Sequence, residues 1–352
     1  MNRRRASGSF SRLMLVASTL GVASCASQAG TSSSAPAGGD PPSAGSAASV
    51  AARPRPAPPD PALVQRLRDD VEKIAIRRDP GSPGWTAVRA LIEARLKEQG
   101  WDPTEDAFES GAGRGINVLA RREGSDPSAG TVILSAHYDH IWDCPGADDN
   151  ASGVAAVLEA ARELHDDASK QSVMLAFWDH EEDGLVGSSS WARRAKLRGD
   201  KIDLAIALDG VGYTDRHPGS QSLPPASESL LPDVARTLKT NGYRADFIAL
   251  IADGGSDVWA DAFEKSADDR GLPAVVVSLN ALTRVLLLDA ARSDHAAFWV
   301  LGYRAMLVTD TANFRNPRYH CGEGQDTPDS LDYEFLARVT STVIDTTRAA
   351  AK

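Results

Sequence analysis

Three apolar runs of strand character lead into side chains that bind metals. Thr131–Ala136 runs into His137-Tyr138-Asp139, Ser172–Trp178 precedes Glu181-Glu182, and Ile202–Leu208 ends at Asp209. In open α/β sheets ligands bind beyond the carboxyl ends of the strands, so these distant residues are expected to converge. The loop Gly146-Ala147-Asp148-Asp149-Asn150 and the late His320 bring the set to two imidazoles and several carboxylates. Mixed nitrogen and oxygen donors of this kind suit two zinc ions sharing a bridging carboxylate. Other divalent metals are compatible with the same donors.

The elements that must position these residues follow from spacing. Asp60-Pro61 is an N-cap with proline at the first helical position, and Leu63, Val64, Leu67, Val71 and Ile74 recur at helical intervals. A second helix carries Val88, Leu91, Ile92 and Leu96 and is expected to end at Gly100, a residue suited to a left-handed cap. Further strands are predicted at Ile116–Ala120, Pro273–Ser278 and Arg304–Thr309, and helices at Ala151–Leu164 and Tyr333–Thr347. Alternating strands and helices favour a largely parallel or mixed sheet covered on both faces. Asp215–Pro225 and Ala252–Ser266 read as loops that build a substrate pocket.

The order HYD at 137–139, GADDNASG at 146–153, HEEDGLVGS at 180–188, LDGVG at 208–212 and YH…DT at 319–327 resembles the di-zinc aminopeptidase family. That family also contains glutamate carboxypeptidases and glutaminyl cyclases. An isolated carboxylate pair is usually a solvated face, but five motifs in order, on the expected elements, carry the resemblance from about Asp60 to the end. It implies a three-layer α/β/α sandwich of zinc-exopeptidase type around a mostly parallel or mixed sheet. It also implies that Asp149 bridges two zinc ions, that His137 and Asp209 complete the first, and that Glu182 and His320 complete the second. Glu181 is then the general base. Asp139, two positions beyond His137 on an extended segment, can hydrogen-bond the other ring nitrogen and orient it.

The remaining histidines are read more plainly. His140, His165 and His217 match no motif position and are expected on the surface or in turns. His180 stands where the family often has glycine, which leaves room for support behind the ligands or an altered pocket wall. Asp294 and His295 lie in a segment that in relatives borders the substrate pocket. Cys144 and Cys321 flank proposed ligands and should lie near the metals. A disulfide and two separate thiols both stay open, while oxygen and imidazole donors already account for both ions.

Four arginines, at 3, 4, 5 and 12, precede the apolar run Leu13–Ala23, which is too short to span a bilayer and has the shape of a secretion signal. Val22-Ala23-Ser24-Cys25 resembles a bacterial lipobox, implying cleavage before Cys25, lipid on its thiol and exposure to the periplasm or cell exterior. Residues 25–59, rich in Ser, Ala, Gly and Pro, read as a disordered tether, and 60–352 as one catalytic domain. The formal net charge of −10 argues against nucleic acid and a polybasic membrane mode. The expected activity is aminopeptidase hydrolysis of peptides. Carboxypeptidase, single-zinc glutaminyl cyclase and a non-enzymatic binding module on the same scaffold are the other readings. Oligomeric state is not legible.

Overall fold

The computed structural model describes residues 56–111 and 113–352. The expected signal peptide, Cys25 and nearly all of the tether lie outside the described residues. Eight strands form one sheet: β1 Pro103–Ser110, β2 Gly113–Arg122, β3 Thr131–His137, β4 Ser172–Trp178, β5 Ile202–Leu208, β6 Ile248–Asp253, β7 Ala274–Leu279 and β8 Ala305–Thr309. Their spatial order is β1-β2-β4-β3-β5-β8-β6-β7. The central strands β4, β3, β5 and β8 run parallel, β2 runs antiparallel to both β1 and β4, and β6 runs antiparallel to β8.

Every residue of β3 and β4 is buried, which accounts for their unbroken apolar runs. Strand alternation then divides their side chains between two cores. Val132, Leu134, Val173, Leu175 and Phe177 face helices that include Pro61–Ile74, Pro83–Glu98, Gly153–Leu164, Asp257–Arg270 and Tyr333–Ala350. Ile133, Met174, Ala176 and Trp178 face Val186–Arg198 and His295–Val300. The result is an α/β/α sandwich with a mixed sheet.

The first two helices start on side-chain caps, Asp60 accepting from the Ala62 N–H and Ser82 from the Trp85 N–H. The second ends at Glu98, and Gly100 follows at φ +84°. Two readings change. Pro103–Ser110 is a strand, hidden from pattern reading because at the sheet edge it buries only Phe108. Ala252–Ser266 is largely the helix Asp257–Arg270, which buries Ala260, Phe263 and Ala267 in the first core. Among the described residues, no helix is long and apolar enough to cross a membrane.

Candidate metal centre

Parallel register lines up the strand ends. His137 pairs with Trp178, Ala136 with Leu208, and Leu208 with Val308, so the segments that follow leave the sheet on one edge. Because β3 sends its crossover to β4 on one side, and β5 returns on the other, a crevice forms there. The structure brings His137, Asp149, Glu182, Asp209 and His320 together in it. His137 Nε2 lies 3.2 Å from Asp149 Oδ1 and 3.6 Å from Asp209 Oδ1. His320 Nε2 lies 3.2 Å from Asp149 Oδ2 and 3.1 Å from Glu182 Oε2. Asp149 thus presents one oxygen to each imidazole.

Donor chemistry supports a cation pair at this place. His137 Nε2, His140 Nε2, His320 Nε2 and Asp149 Oδ1 are buried atoms without a hydrogen-bond partner, a costly state that metal coordination relieves. Ligand atoms of His137, Glu181 and Asp209 fall within 4.8 Å of one another, as do those of His140, Asp149 and Glu182. Burial opposes ionisation of Asp149, but the imidazoles of His137 and His320 outweigh it and hold the carboxyl well below its usual range. His320 is correspondingly raised to about 10, the pull of Asp149 and Glu182 exceeding the effect of burial. Burial pushes Glu181 well above the ordinary carboxylate range, only partly countered by His137.

Glu181 and Glu182 point to different sides: Glu181 Oε2 is 4.0 Å from His137 Nε2, while Glu182 reaches His320 and His140. Asp139 arranges this in a way the sequence did not suggest. Its carboxylate accepts the Glu181 and Glu182 backbone N–H groups at 3.1 and 3.2 Å, while His137 Nδ1 lies 3.3 Å from the Asp139 carbonyl oxygen and 3.6 Å from its carboxylate. Asp139 is therefore a positioning residue for all three neighbours. The loop before helix Gly153–Leu164 is tied down by Asn150, whose side chain donates to the Leu208 carbonyl and accepts from the Gly153 N–H. A side chain at Gly153 would collide with Asn150 Oδ1 at 2.2 Å. The Asp149-Asn150 peptide is cis.

His140 corrects its surface assignment. It is fully buried, its Nδ1 lies 2.7 Å from Glu182 Oε1, and its ring stands edge-on to His320 at 5.8 Å. Arg78 carried no sequence signal, because its guanidinium bonds main-chain carbonyls that no motif marks. It is fully buried and donates to the carbonyl oxygens of Tyr138, Pro145, Gly146 and Asp149, clamping the loop that carries Asp149. Burial lowers it to about 10, against the pull of Asp149, Asp139, Asp326 and Glu182. Asp326, within the last motif, accepts the Asp148 and Asp149 N–H groups. Cys144 and Cys321 are bonded, with Cα atoms 5.9 Å apart.

Beside the cluster lies a cavity of about 540 Å³. Asp149, Glu181, Glu182, Asp209 and His320 line its polar end, and apolar side chains line most of the rest. The three residues expected at the pocket are not on its wall. His180 sits at φ +53° with Nδ1 2.6 Å from Asp183, packed edge-on to Phe108; this is a backbone conformation that glycine adopts freely. His295 bonds the Ala290 carbonyl oxygen and stacks edge-on against Trp299, and burial lowers it to about 4, so it is neutral. Asp294 is buried behind the site, and burial raises it to about 7. Of the two loops expected to build the pocket, Asp215–Pro225 does so through Gln221, Ser222, Leu223 and Pro224, and Ala252–Ser266 does not.

Residues 117–347 match the model of peptidase family M28. The chain belongs to peptidase family M28. It is 37% identical over 224 residues to protein YfbL of Escherichia coli (strain K12), covering 60% of this chain and 65% of that one. It is 32% identical over 164 residues to the probable lipoprotein aminopeptidase LpqL of Mycobacterium tuberculosis, covering 44% of this chain and 31% of that one. The chain thus spans less than two thirds of these curated relatives. Its fold is that of the Bacillus subtilis zinc aminopeptidase, with a TM-score of 0.63 at 14% identity over 82% of this chain and 95% of that one.

Proposed function

We propose that this M28 chain is a zinc-dependent exopeptidase that removes N-terminal residues from peptides. The observation that carries the reading is the Asp149 carboxylate, 3.2 Å from an imidazole on either side, with Glu181 adjacent. Two zinc ions held by His137, Asp149, Asp209, Glu182 and His320 would polarise the scissile carbonyl and acidify a water. Glu181 takes a proton from that water and returns it to the leaving nitrogen. Its burial suits the task, because a carboxylate raised above its ordinary range takes up a proton more readily. Asp139 holds Glu181 and Glu182 to their separate duties, and His140 fixes the free oxygen of Glu182. Arg78 and Asp326 keep the Asp149 loop in place from opposite groups of its main chain.

Asp149, Glu181, Glu182, Asp209 and His320 line the polar end of the cavity, so a peptide terminus that enters it reaches the groups that would hold the metals. A panel of aminoacyl, N-blocked and C-terminal-glutamate peptides, assayed with metal counting, tests the reading. Cleavage of the free-amine members with about two zinc per molecule is expected. Lactam formation from N-terminal glutamine with one zinc would replace it by the cyclase reading, and hydrolysis of only the N-blocked C-terminal-glutamate members by the carboxypeptidase reading.

We infer further that residues 1–24 direct export, that Cys25 carries a lipid and that 25–59 tether a catalytic domain at 60–352. The arginine-led apolar run, the lipobox-like Val22–Cys25 and the composition of the tether support this, as does the lipoprotein in the name of the mycobacterial relative. Cys25→Ser should release the protein from membranes or block its processing. Wild-type chain cleaved elsewhere and recovered unmodified in the soluble fraction would reject lipidation.

A further inference from the structure

The cavity beside the metal-binding cluster extends well past the space one amino-acid side chain needs. At about 540 Å³ it has the size of a pocket for a whole small ligand. Its floor is one face of the sheet, Ile251 from β6, Val275 and Val277 from β7 and Leu307 from β8, and Leu231 and Leu287 belong to its cover. Apart from the cluster itself, the charged residues on its wall are Asp289 and Arg292, which pair with each other at 3.5 Å. Away from the cluster, apolar side chains therefore dominate the wall.

A second feature lies on the covering segment Ala281–Ala291. Leu287 is buried against the cavity, while Leu282, Val285 and Leu288 are 67%, 70% and 73% exposed. Single exposed apolar residues are ordinary, but several within one short segment form a patch that attracts apolar matter. Here the patch adjoins the wall of an apolar cavity that opens on a hydrolytic site.

We propose that the chain acts on amides whose acyl half bears a long straight aliphatic chain, which the cavity encloses. The inference rests on the N-terminal exopeptidase reading, because in that reaction the acyl half ends at the site and can be enclosed, whereas the amine half must continue into solvent. In the step, the water oxygen bonds the carbonyl carbon. The C–N bond breaks with its electron pair on nitrogen, and the nitrogen receives the proton held by Glu181. The products are a long-chain carboxylate and an amine. The chain belongs either to a residue with a free α-amine or to a fatty acyl group without one.

Anilides of alanine, norleucine, 2-aminooctanoate and 2-aminodecanoate, alongside octanoyl and decanoyl anilides, test this with the zinc-loaded full chain. Burial of each methylene contributes about 0.8 kcal/mol, so kcat/KM is expected to rise about fourfold per CH2 through at least eight carbons. Val277→Trp, which fills the floor, should reverse the order of long and short substrates. Turnover of the aminoacyl set alone assigns the chain to an amino acid, and comparable turnover of the acyl set assigns it to a fatty amide. A maximum at norleucine followed by decline would overturn the inference and leave the peptidase reading standing. Should no anilide be cleaved, that reading fails, and calorimetry with dodecanoate decides the cavity separately. Binding with a negative heat-capacity change that Val277→Trp abolishes supports the proposal, and absence of binding overturns it.

Discussion

The two ends of the cavity beside the His137–Asp149–His320 cluster are built on opposite principles. At the polar end a network of polar side chains holds the cluster in place: Asp139 to the Glu181 and Glu182 amides, His140 to Glu182, Asn150 to the Leu208 carbonyl, Arg78 to the Asp149 loop. At the other end Ile251, Val277 and Leu307 meet open space under a short helical cover. Polar networks in a low-dielectric interior lose heavily when one member is removed. Apolar walls facing a cavity have few contacts to lose. The first end should be brittle to substitution and the second tolerant.

The largest effect expected is at Glu181. Glu181→Gln keeps the shape but cannot accept a proton, and should lower kcat by about 10²–10⁴ with zinc content unchanged. Glu182→Gln should instead lose zinc. The opposite pattern between these neighbours would break the division of labour. Next comes the buried clamp: Arg78→Ala removes the donor to six carbonyl oxygens and leaves nearby carboxylates uncompensated, which should destabilise the protein by about 3–5 kcal/mol in chemical denaturation. An Arg78→Ala protein with wild-type stability would show that the loop does not need the clamp.

His140→Ala should weaken zinc by about 10–100-fold in competition with a chelator, since it frees one oxygen of Glu182 from its restraint. Unchanged affinity would return His140 to a packing role. The same titration followed against pH has a definite sign. In protein stripped of metal, His320 is raised from 6.5 to about 10, so it carries a proton at neutral pH that zinc must displace. Zinc affinity should therefore climb with pH up to about 10. The ion-pair stability of the stripped protein should be complete below about 6.5 and fade as pH rises through about 10. Affinity that falls with pH over this range would contradict the assignment. At the tolerant end, Ile251→Val should cost only about 0.5 kcal/mol, the low side for a buried methylene.

The contrast also explains what the sequence disclosed. The polar end was legible because His137, Glu182 and Asp209 follow strand ends, where register forces them together, and because the motif order resembles a known family, which implied the roles of Asp149 and His320. His137, Asp149, Glu182, Asp209 and His320 could all be named, and Gly153 had a steric reason to be glycine. Arg78 and His140 stayed hidden, since a side chain that serves main-chain carbonyls or one carboxylate oxygen leaves no spacing rule. Asp139 was expected to orient the His137 ring, but spacing gave no hint that its carboxylate also accepts the Glu181 and Glu182 N–H groups. The apolar end was barely legible. Its floor strands read as core, which they also are, and Asp257–Arg270 could pass for a loop because only Ala260, Phe263, Ser266 and Ala267 are buried on it. Asp294 and His295 were drawn toward the pocket by their neighbourhood in sequence, yet the short helix starting at His295 turns both inward.

The central claim is that Asp149 bridges two metal ions between His137 and His320. Anomalous diffraction at the zinc edge from crystals of the undepleted protein tests it most directly. Two peaks about 3.5–4 Å apart, one against each oxygen of Asp149, are the expected result. One peak, or a second that does not touch Asp149, would contradict it.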